Sequence, residues 1–228
     1  MRILCIDDSV DILEVLGLSL RMRWPEAEVL KAEDGPTALT MVERETPDLV
    51  IVDLGLPGMD GYEIIRRIRL FSTVPIIVLS VRDEEQDIVK ALEMGADDYI
   101  TKPFGHLQLL ARIQAIIRRT AATPNGHEET TDLGKLRIEP STRRVYLRGK
   151  PVALTPTEYT ILYHLARNAD RVLTHQALIT KVWGTDAADG RHLLTVHMNN
   201  LRSKLGEIAG EPLLIITERG VGYRLAKN

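Results

Sequence analysis

An apolar run that leads straight into a carboxylate is the feature that most limits how this chain folds. Residues 49–52 are Leu-Val-Ile-Val, and Asp53 follows them directly. An uninterrupted apolar run of this length is typical of a strand buried on both faces, as in parallel sheets. Glycine and proline then end the strand, at Gly55, Pro57, Gly58 and Gly61. Asp53 is therefore predicted at the carboxyl end of a central strand, where open α/β sheets bind their ligands.

The same kind of run recurs along the first half of the chain. Short apolar runs that we interpret as strands cover residues 3–6, 29–32, 49–52, 76–80 and 99–103. Between and after them, apolar residues recur at helical spacing, around residues 10–22, 35–42, 62–68, 88–95 and 107–117. Strands that alternate with helices in this way predict an α/β domain with a five-stranded parallel sheet and helices on both faces.

The charge is divided unequally between the two halves of the chain. The whole chain has a net charge of −3, whereas residues 1–120 sum to −7 and residues 130–228 to +6. Glu128 and Glu129 account for the difference. Two halves of opposite charge indicate two separate tasks, and the basic half is a candidate for binding nucleic acid.

The single cysteine and the absence of long apolar runs indicate the compartment. Cys5 lies inside the first apolar run and is the only cysteine, which excludes an internal disulfide and favours a reducing environment. No apolar run approaches the ~20 residues that a membrane helix needs. The first residues, Met-Arg-Ile-Leu, do not have the layout of a signal peptide. We expect a soluble, cytoplasmic protein that makes no use of a membrane.

Polar side chains follow four of the five predicted strands. Asp7 and Asp8 follow the first, Asp53 the third, Ser80 ends the fourth, and Lys102 ends the fifth. Three carboxylates at one sheet edge repel each other unless a cation joins them, and an all-oxygen, partly hydrated site suits Mg²⁺. A carboxylate can attack phosphorus, and a lysine ammonium suits a phosphate oxygen. The pattern predicts an aspartyl phosphate at Asp53, beside a magnesium ion.

These motifs, together with Pro57, Gly61 and Pro103, resemble the receiver domain of two-component response regulators, which is flavodoxin-like. The resemblance covers residues 1–120 and implies that Asp53 accepts a phosphoryl group from a sensor histidine kinase. It implies that the Asp8 and Asp53 side chains and the Gly55 carbonyl coordinate Mg²⁺, and that Asp7 acts mostly through water.

The resemblance also implies a switch and a phosphoryl clamp. Lys102 would pair with the phosphoryl group, Ser80 would move onto a phosphoryl oxygen, and Tyr99 would swing inward behind it. The peptide before Pro103 is expected to be cis, an isomer chiefly available before proline. Val81 and Arg82 depart from the commonest pattern, and we predict that they tune the lifetime of the phosphorylated state.

In this family, the face made by the fourth helix, fifth strand and fifth helix forms a symmetric dimer through intermolecular salt bridges. The corresponding residues here are Ile88, Glu93, Asp97, Asp98, Arg112 and Arg119. Ile88 and Gln108 replace a charged pair that is usual in the family. We therefore expect apolar contacts to contribute more to this interface than they usually do.

The second half begins after a small, polar stretch that we interpret as a flexible linker, residues 121–131. Short strands near residues 136–138, 145–148 and 152 are followed by a helix whose capping box is Thr155 with Glu158. A second helix begins at Thr174, a third covers residues 191–205, and residues 213–223 form a hairpin. This order predicts an α+β winged helix-turn-helix domain, residues 132–228.

The third helix has a polar face suited to the major groove of DNA. The residues on or beside this face are His192, Thr195, Val196, Asn199, Asn200 and Arg202. Asparagine can bind the adenine edge, and arginine can bind guanine or a phosphate. Arg219, at the tip of the hairpin, suits the minor groove. These residues are our candidates for binding DNA.

Residues 132–227 resemble the winged-helix effector domain of OmpR/PhoB-type transcription factors. The matching residues are Leu154-Thr155 with Glu158, Val172-Leu173-Thr174, Val182-Trp183, Val196-His197, Leu201-Arg202, Lys204-Leu205, Arg219-Gly220 and Gly222-Tyr223-Arg224. The resemblance implies that the helix over 191–205 reads promoter DNA and that the loop over 184–190 contacts RNA polymerase. Thr195, Asn199 and Asn200 depart from the Asp and Arg frequent in the family, which predicts a shallower salt dependence.

The sequence thus predicts a response regulator in which phosphorylation promotes dimerisation and binding to tandem half-sites in a promoter. It is not an enzyme in this interpretation, beyond its own magnesium-dependent phosphoryl transfer and dephosphorylation. One alternative is a phosphohydrolase with an aspartate nucleophile, which would need an acid two residues later, where Gly55 stands. The other alternative is a phosphate-independent DNA-binding protein with a vestigial receiver.

Overall fold

A computed structural model describes residues 1–121, 130–184, 190–207 and 214–227. The chain separates into two compact units, residues 1–114 and 115–228. Most of the predicted linker, residues 121–131, and most of the loop over 184–190 lie outside the described residues. The domain limits that we infer, 1–120 and 132–228, therefore remain predictions.

A parallel five-stranded sheet forms the centre of the first unit, which is described throughout, and this confirms the predicted fold class. Its strands are β1 (Arg2–Ile6), β2 (Glu28–Ala32), β3 (Leu49–Val52), β4 (Ile76–Ser80) and β5 (Asp98–Thr101). Their order is β2-β1-β3-β4-β5, so β1 and β3 are hydrogen-bonded neighbours. The central strands β3 and β4 are buried along their whole length, as their apolar sequences require.

Five helices begin in the first unit, and three of them have a capping side chain. They are α1 (Val10–Arg23), α2 (Gly35–Glu45), α3 (Gly61–Arg69), α4 (Glu85–Glu93) and α5 (His106–Ala121). The side chains of Ser9, Asp34 and Asp60 each accept a hydrogen bond from a backbone N–H in the first turn. Helix α5 continues beyond the predicted end at residue 117, because the next proline or glycine comes only at Pro124.

The described parts of the second unit contain the end of α5, two antiparallel sheets and three further helices. The elements are β6 (Thr131–Leu133), β7 (Leu136–Glu139), β8 (Arg144–Leu147), β9 (Lys150–Val152), α6 (Pro156–Arg167), β10 (Leu173–Thr174), α7 (His175–Trp183), α8 (Gly190–Lys204), β11 (Ile215–Glu218) and β12 (Gly222–Leu225). One sheet has the order β6-β7-β8-β9, and the other β10-β12-β11. Strands β6 and β10 were not predicted, because two or three residues are too few to show periodicity.

The predicted capping box is present at the start of α6. The Glu158 backbone N–H donates to the Thr155 hydroxyl at 3.4 Å, and the Thr155 N–H donates to the Glu158 carboxylate at 2.8 Å. Helix α8 packs against both α6 and α7 and buries Leu194, Met198 and Leu201 between them. Within the described residues, the structure contains no helix of sufficient length and apolar character to span a bilayer.

Candidate functional sites

Three carboxylates meet at the carboxyl edge of the parallel sheet. Strands β1 and β3 pair with Ile6 opposite Val52, so the residues that follow them, Asp7 and Asp53, emerge side by side. Asp7, Asp8 and Asp53 each offer one oxygen, and these oxygens lie within 4.8 Å of one another. Asp7 and Asp53 are 2% and 8% exposed, whereas Asp8 is exposed to solvent. The cluster is therefore partly buried and open on one side.

Lys102 connects two of these carboxylates. Its Nζ donates to Asp7 Oδ2 at 2.6 Å and to Asp53 Oδ2 at 2.8 Å. Burial lowers the pKa of Lys102, but the hydrogen bonds to Asp53 and Asp7 outweigh it, so the pKa rises above its ordinary value. The lysine is thus charged and aimed at the oxygen of Asp53. The peptide bond between Lys102 and Pro103 is cis, as predicted.

The loop after β3 folds back tightly against Asp53. The Gly61 N–H donates to the Leu54 carbonyl at 3.2 Å, and a Cβ on Gly61 would lie 2.3 Å from the Asp53 carbonyl oxygen. Only glycine therefore fits at position 61 without moving the strand end. The Gly55 N–H donates to Asp53 Oδ1 at 3.3 Å, which helps to fix the orientation of the carboxylate.

Ser80 and Tyr99 lie on neighbouring strands beside this cluster. Ser80 is fully buried, and its hydroxyl accepts a hydrogen bond from the Arg82 N–H at 3.4 Å. Tyr99 is 6% exposed, and its hydroxyl donates to the Arg82 carbonyl at 2.6 Å. Burial is the main cause that raises the pKa of Tyr99 to about 12. Both predicted switch residues thus contact the same residue in the loop after β4.

A cluster around Tyr62 was missed by the sequence analysis. The Tyr62 hydroxyl donates to Asp87 Oδ1 at 2.6 Å, and Lys90 Nζ lies 4.0 Å from the ring centroid. The Arg82 guanidinium lies 5.4 Å from the same centroid and 3.6 Å from Asp60. Burial and then the bond to Asp87 raise the pKa of Tyr62 above its usual range. Sequence reasoning could have found this cluster through Tyr62, because the hydroxyl of a buried tyrosine usually requires a hydrogen-bond partner.

Most of the residues that we predicted at a dimer interface have partners within the chain. Asp97 is fully buried, and its Oδ2 accepts from Arg69 at 3.1 Å and from the Ile76 N–H at 3.0 Å. Arg112 and Asp98 form a buried ion pair at 3.3 Å. Arg119 is buried in the second unit and donates to the Thr157 hydroxyl. Glu93 is exposed and Ile88 partly exposed.

The outward face of α8 is narrower than we expected. Thr195 and Asn199 are exposed, and His192 and Asn200 are partly exposed. Val196 is only 6% exposed, so our expectation that it points outward is wrong. The reason is that α8 is covered by two helices, α6 and α7, which widens its buried stripe. Arg191, which we did not select, is exposed at the first turn of α8.

A hairpin carries Arg219 at its tip, as predicted. We call residues 215–225, which comprise β11, the turn at 219–221 and β12, the wing. Arg219 is exposed, and Gly220 takes a positive φ of 74° that favours glycine in the turn. Arg202, which we also predicted to bind DNA, turns toward the wing: it donates to the Ile215 carbonyl at 2.9 Å and the Thr217 hydroxyl at 2.8 Å.

Comparison with protein families matches each unit separately. A response regulator receiver domain matches residues 3–114. The C-terminal domain of transcriptional regulatory proteins matches residues 149–225. The first match includes the carboxylate cluster and Lys102, and the second includes the helices α6 to α8 and the wing.

Individual proteins match over nearly the whole chain. The sensory transduction protein RegX3 of Mycolicibacterium smegmatis is 39% identical over 98% of both chains. The alkaline phosphatase synthesis transcriptional regulatory protein PhoP of Bacillus subtilis is 37% identical over 98% of this chain and 96% of its own. The crystal structure of the response regulator DrrB, an OmpR/PhoB homologue from Thermotoga maritima, is 31% identical with a TM-score of 0.52, covering 99% of this chain and 98% of DrrB.

Proposed function

The chain belongs to the OmpR/PhoB-type response regulators of two-component systems, and from this premise we propose that a phosphoryl group on Asp53 controls its binding to DNA. The chain combines a receiver domain with a DNA-binding domain, as transcriptional regulators of two-component systems do. The observation that carries the proposal is the convergence of Asp53, the two other carboxylates and Lys102 at one edge of the sheet.

The chemical step would transfer a phosphoryl group to Asp53 from a phosphohistidine of a sensor histidine kinase. An Asp53 oxygen attacks phosphorus and an O–P bond forms. The P–N bond to the histidine breaks, and its electron pair stays on the ring nitrogen, so that the histidine leaves as imidazole. Lys102 releases its contact with the Asp53 oxygen and pairs with the phosphoryl group, whose charge it neutralises.

The donor set fits a divalent magnesium ion. Asp7, Asp8 and Asp53 supply three carboxylate oxygens within 4.8 Å of one another, and hard oxygen ligands are those that Mg²⁺ prefers. We propose that Asp8, Asp53 and the Gly55 carbonyl hold the ion, with Asp7 acting through water. When bound, the ion would neutralise the charge that develops on the phosphoryl oxygens.

The response would pass from the phosphoryl group to the effector domain through an equilibrium between two states. Ser80 would move onto a phosphoryl oxygen, and Tyr99 would move inward behind it. Both are hydrogen-bonded to the backbone of Arg82, so their movement would be passed to the loop that precedes α4. We propose that two receivers then associate through α4, β5 and α5. Four of the predicted interface residues have partners within the chain: Asp97, Asp98, Arg112 and Arg119. Such an interface therefore either requires these residues to exchange partners or forms first through the more exposed Ile88 and Glu93.

A dimer would place two winged helices on tandem half-sites of a promoter. Helix α8 would enter the major groove with Thr195, Asn199, Asn200 and His192, and Arg219 would reach the minor groove. We propose RNA polymerase as a further partner, through the loop over 184–190, and the cytoplasm as the location.

A phosphohydrolase is the alternative that the site itself argues against. Such an enzyme needs a general acid two residues after its aspartate nucleophile, and position 55 is glycine. A Cβ at position 55 would meet nothing closer than 3.8 Å, so the glycine is not imposed by packing. We therefore propose that phosphoryl transfer and slow dephosphorylation of Asp53 are the only reactions that this chain promotes.

The proposal is tested by phosphorylating the purified full-length protein with acetyl phosphate and measuring its intact mass. We expect a gain of one phosphoryl mass in the presence of Mg²⁺ and no gain in the presence of EDTA. Asp53→Asn should not gain mass, whereas Asp11→Asn, which changes an exposed carboxylate on α1, should gain it like the wild type. Fast catalytic release of phosphate would favour the phosphohydrolase.

A DNA-binding measurement then separates the regulator from a protein with a vestigial receiver. We expect acetyl phosphate to raise the affinity of the wild type, but not of Asp53→Asn, for duplexes selected from a random-sequence pool. Equal affinity of the wild type and Asp53→Asn, each with and without acetyl phosphate, would contradict control by phosphorylation.

A further inference from the structure

We propose that Arg202 is a positioning residue that fixes the wing against the recognition helix α8, rather than a residue that binds DNA phosphate. The sequence had placed Arg202 beside the DNA-reading face. The inference rests on the proposed function, because it assumes that α8 and the wing bind DNA together.

The guanidinium of Arg202 joins the last turns of α8 to the first strand of the wing. One nitrogen, Nη2, donates both to the Ile215 carbonyl at 2.9 Å and to the Thr217 hydroxyl at 2.8 Å. Both acceptors lie on β11. The Arg202 side chain is only 22% exposed, whereas arginine side chains without a partner in the protein are usually exposed to solvent.

Two further contacts hold the same guanidinium in place. Its Nε lies 3.5 Å from Glu207 Oε2, a carboxylate that is 1% exposed. The other oxygen of Glu207 accepts from the Leu214 and Ile215 N–H groups at 2.9 and 2.8 Å, at the start of β11. The guanidinium also lies 5.6 Å from the centroid of the Tyr223 ring, on β12. Arg202 therefore contacts both strands of the wing.

Two of the three guanidinium nitrogens already have partners, so a phosphate that bound Nη2 or Nε would displace the contacts to the wing or to Glu207. Moving the guanidinium to the DNA would leave the Glu207 carboxylate buried without its cation, which is costly. Arg219 differs in this respect, because it is exposed at the wing tip, and among the described residues no hydrogen bond or ion pair of its side chain competes with a phosphate. The geometry thus assigns anchoring to Arg202 and DNA contact to Arg219.

The test is a double-mutant cycle between Arg202→Ala and Arg219→Ala in the full-length, phosphorylated protein. The probe is a short duplex that the wild type recovers from a random-sequence pool, and the readout is Kd as a function of salt. If Arg202 acts through the wing, each single variant weakens binding about tenfold. The double variant should then be within about twofold of Arg219→Ala, because coupled residues are not additive.

A phosphate contact predicts a different result. The losses would multiply in the double variant, and the slope of log Kd against log salt would fall by about 0.9 for each of the two arginines independently. Arg202→Lys would also restore binding, since an ammonium serves a phosphate but cannot reproduce contacts made by both Nη2 and Nε. Either observation would overturn the inference.

Two more variants keep the result interpretable. Thr217→Val removes one acceptor of Arg202 at an exposed position and should weaken binding about threefold in the wild type, but not in the Arg202→Ala background. Arg137→Ala removes an exposed arginine on β7 and should leave Kd unchanged. If the wild type and Arg219→Ala bind equally well, the role proposed for the wing fails, and the inference fails with it. Circular dichroism of each variant establishes that it is folded.

Discussion

Lys102 is the residue on which the electrostatics of the receiver site depend. Two carboxylates, Asp7 and Asp53, lie within hydrogen-bond distance of its Nζ and would otherwise repel each other. A single ammonium thus stabilises the pair of carboxylates, and in the proposed function the same ammonium would pair with the phosphoryl group. The residue is therefore expected to affect both stability and chemistry.

We predict that Lys102→Met lowers the free energy of unfolding by about 1–2 kcal/mol at pH 8, because the two carboxylates lose a shared donor. Urea titration of the full-length protein measures the difference. Added Mg²⁺ should narrow it, since a divalent cation neutralises the same carboxylates. Phosphorylation by acetyl phosphate should be at least about tenfold slower in this variant, as expected when one electrostatic contact to the transition state is removed.

The stability that Lys102 contributes should depend on pH in the alkaline range. Its folded-state pKa is raised above the ordinary value of 10.5, so the stabilisation is fully present below that value and is lost as pH rises through the folded-state pKa. Urea titrations of the wild type and Lys102→Met from pH 8 upward should therefore differ by a constant amount until about pH 10 and converge above it. A difference that grows with pH would contradict this assignment.

Arg82 is expected to shield the acyl phosphate from water. Its guanidinium is held beside the Tyr62 ring and Asp60, next to the loop that follows β4. We predict that Arg82→Ala shortens the half-life of phosphorylated Asp53 about threefold, because water gains access to the phosphoryl group. The decay of phosphorylated mass measures this, with Val81→Ala as the second variant at the site. Unchanged dephosphorylation rates in both variants would show that neither residue tunes the lifetime of the phosphorylated state.

At the scale of elements, side-chain contacts hold the end of α3 against the loops that precede β4 and β5. Arg69, its last residue, donates to the carbonyls of Gly95 and Ser72 at 2.9 and 3.2 Å and pairs with Asp97 at 3.1 Å. Asp97 in turn accepts from the first N–H of β4. One buried ion pair therefore joins α3, β4 and the loop before β5.

We predict that Arg69→Ala lowers the free energy of unfolding by about 3 kcal/mol, because it leaves the fully buried Asp97 without its cation. Arg66→Ala is the matched control on the same helix, since the Arg66 side chain is 63% exposed and its loss should leave the free energy of unfolding close to that of the wild type. Equal effects in urea titrations of the two variants would show that the buried pair contributes no more than an exposed one.

At the scale of the whole molecule, an acidic receiver and a basic DNA-binding domain are carried by one chain. Residues 1–120 sum to −7 and residues 130–228 to +6, so the electrostatic attraction to DNA phosphates is expected from the second half of the chain. In the proposed function, phosphorylation would make two effector domains act together, because dimerisation would supply a gain in effective concentration.

We predict that phosphorylation raises affinity for a duplex with two tandem half-sites at least about tenfold more than for a duplex with one, because the second binding event becomes intramolecular. Fluorescence anisotropy with both duplexes measures the ratio. The control is Asp53→Asn with acetyl phosphate, for which the ratio should not change. Sedimentation velocity of the phosphorylated protein should show a dimer, and Glu93→Lys should weaken it.

The order of apolar runs and breakers in the sequence was sufficient to predict the parallel sheet and its helices. The reason is local: a short apolar run that ends at glycine and proline, such as residues 49–52, is typical of a strand buried on both faces. The residues at the strand ends, Asp7, Asp53, Ser80 and Lys102, followed from the same logic, because parallel strands deliver their carboxyl ends to one edge. The sequence pattern therefore predicted the fold class and the composition of the acidic cluster.

The partners of long charged side chains were decided only by the tertiary structure. Arg202 turns to the wing, Asp97 pairs with Arg69, and Tyr62 bonds to Asp87, and none of these pairs has a periodicity that a sequence could reveal. Val196 is buried because α8 is covered by two helices rather than one. Local spacing determines which face of an element is apolar, whereas the choice between solvent and a distant partner depends on which elements the folded chain brings within a few ångströms.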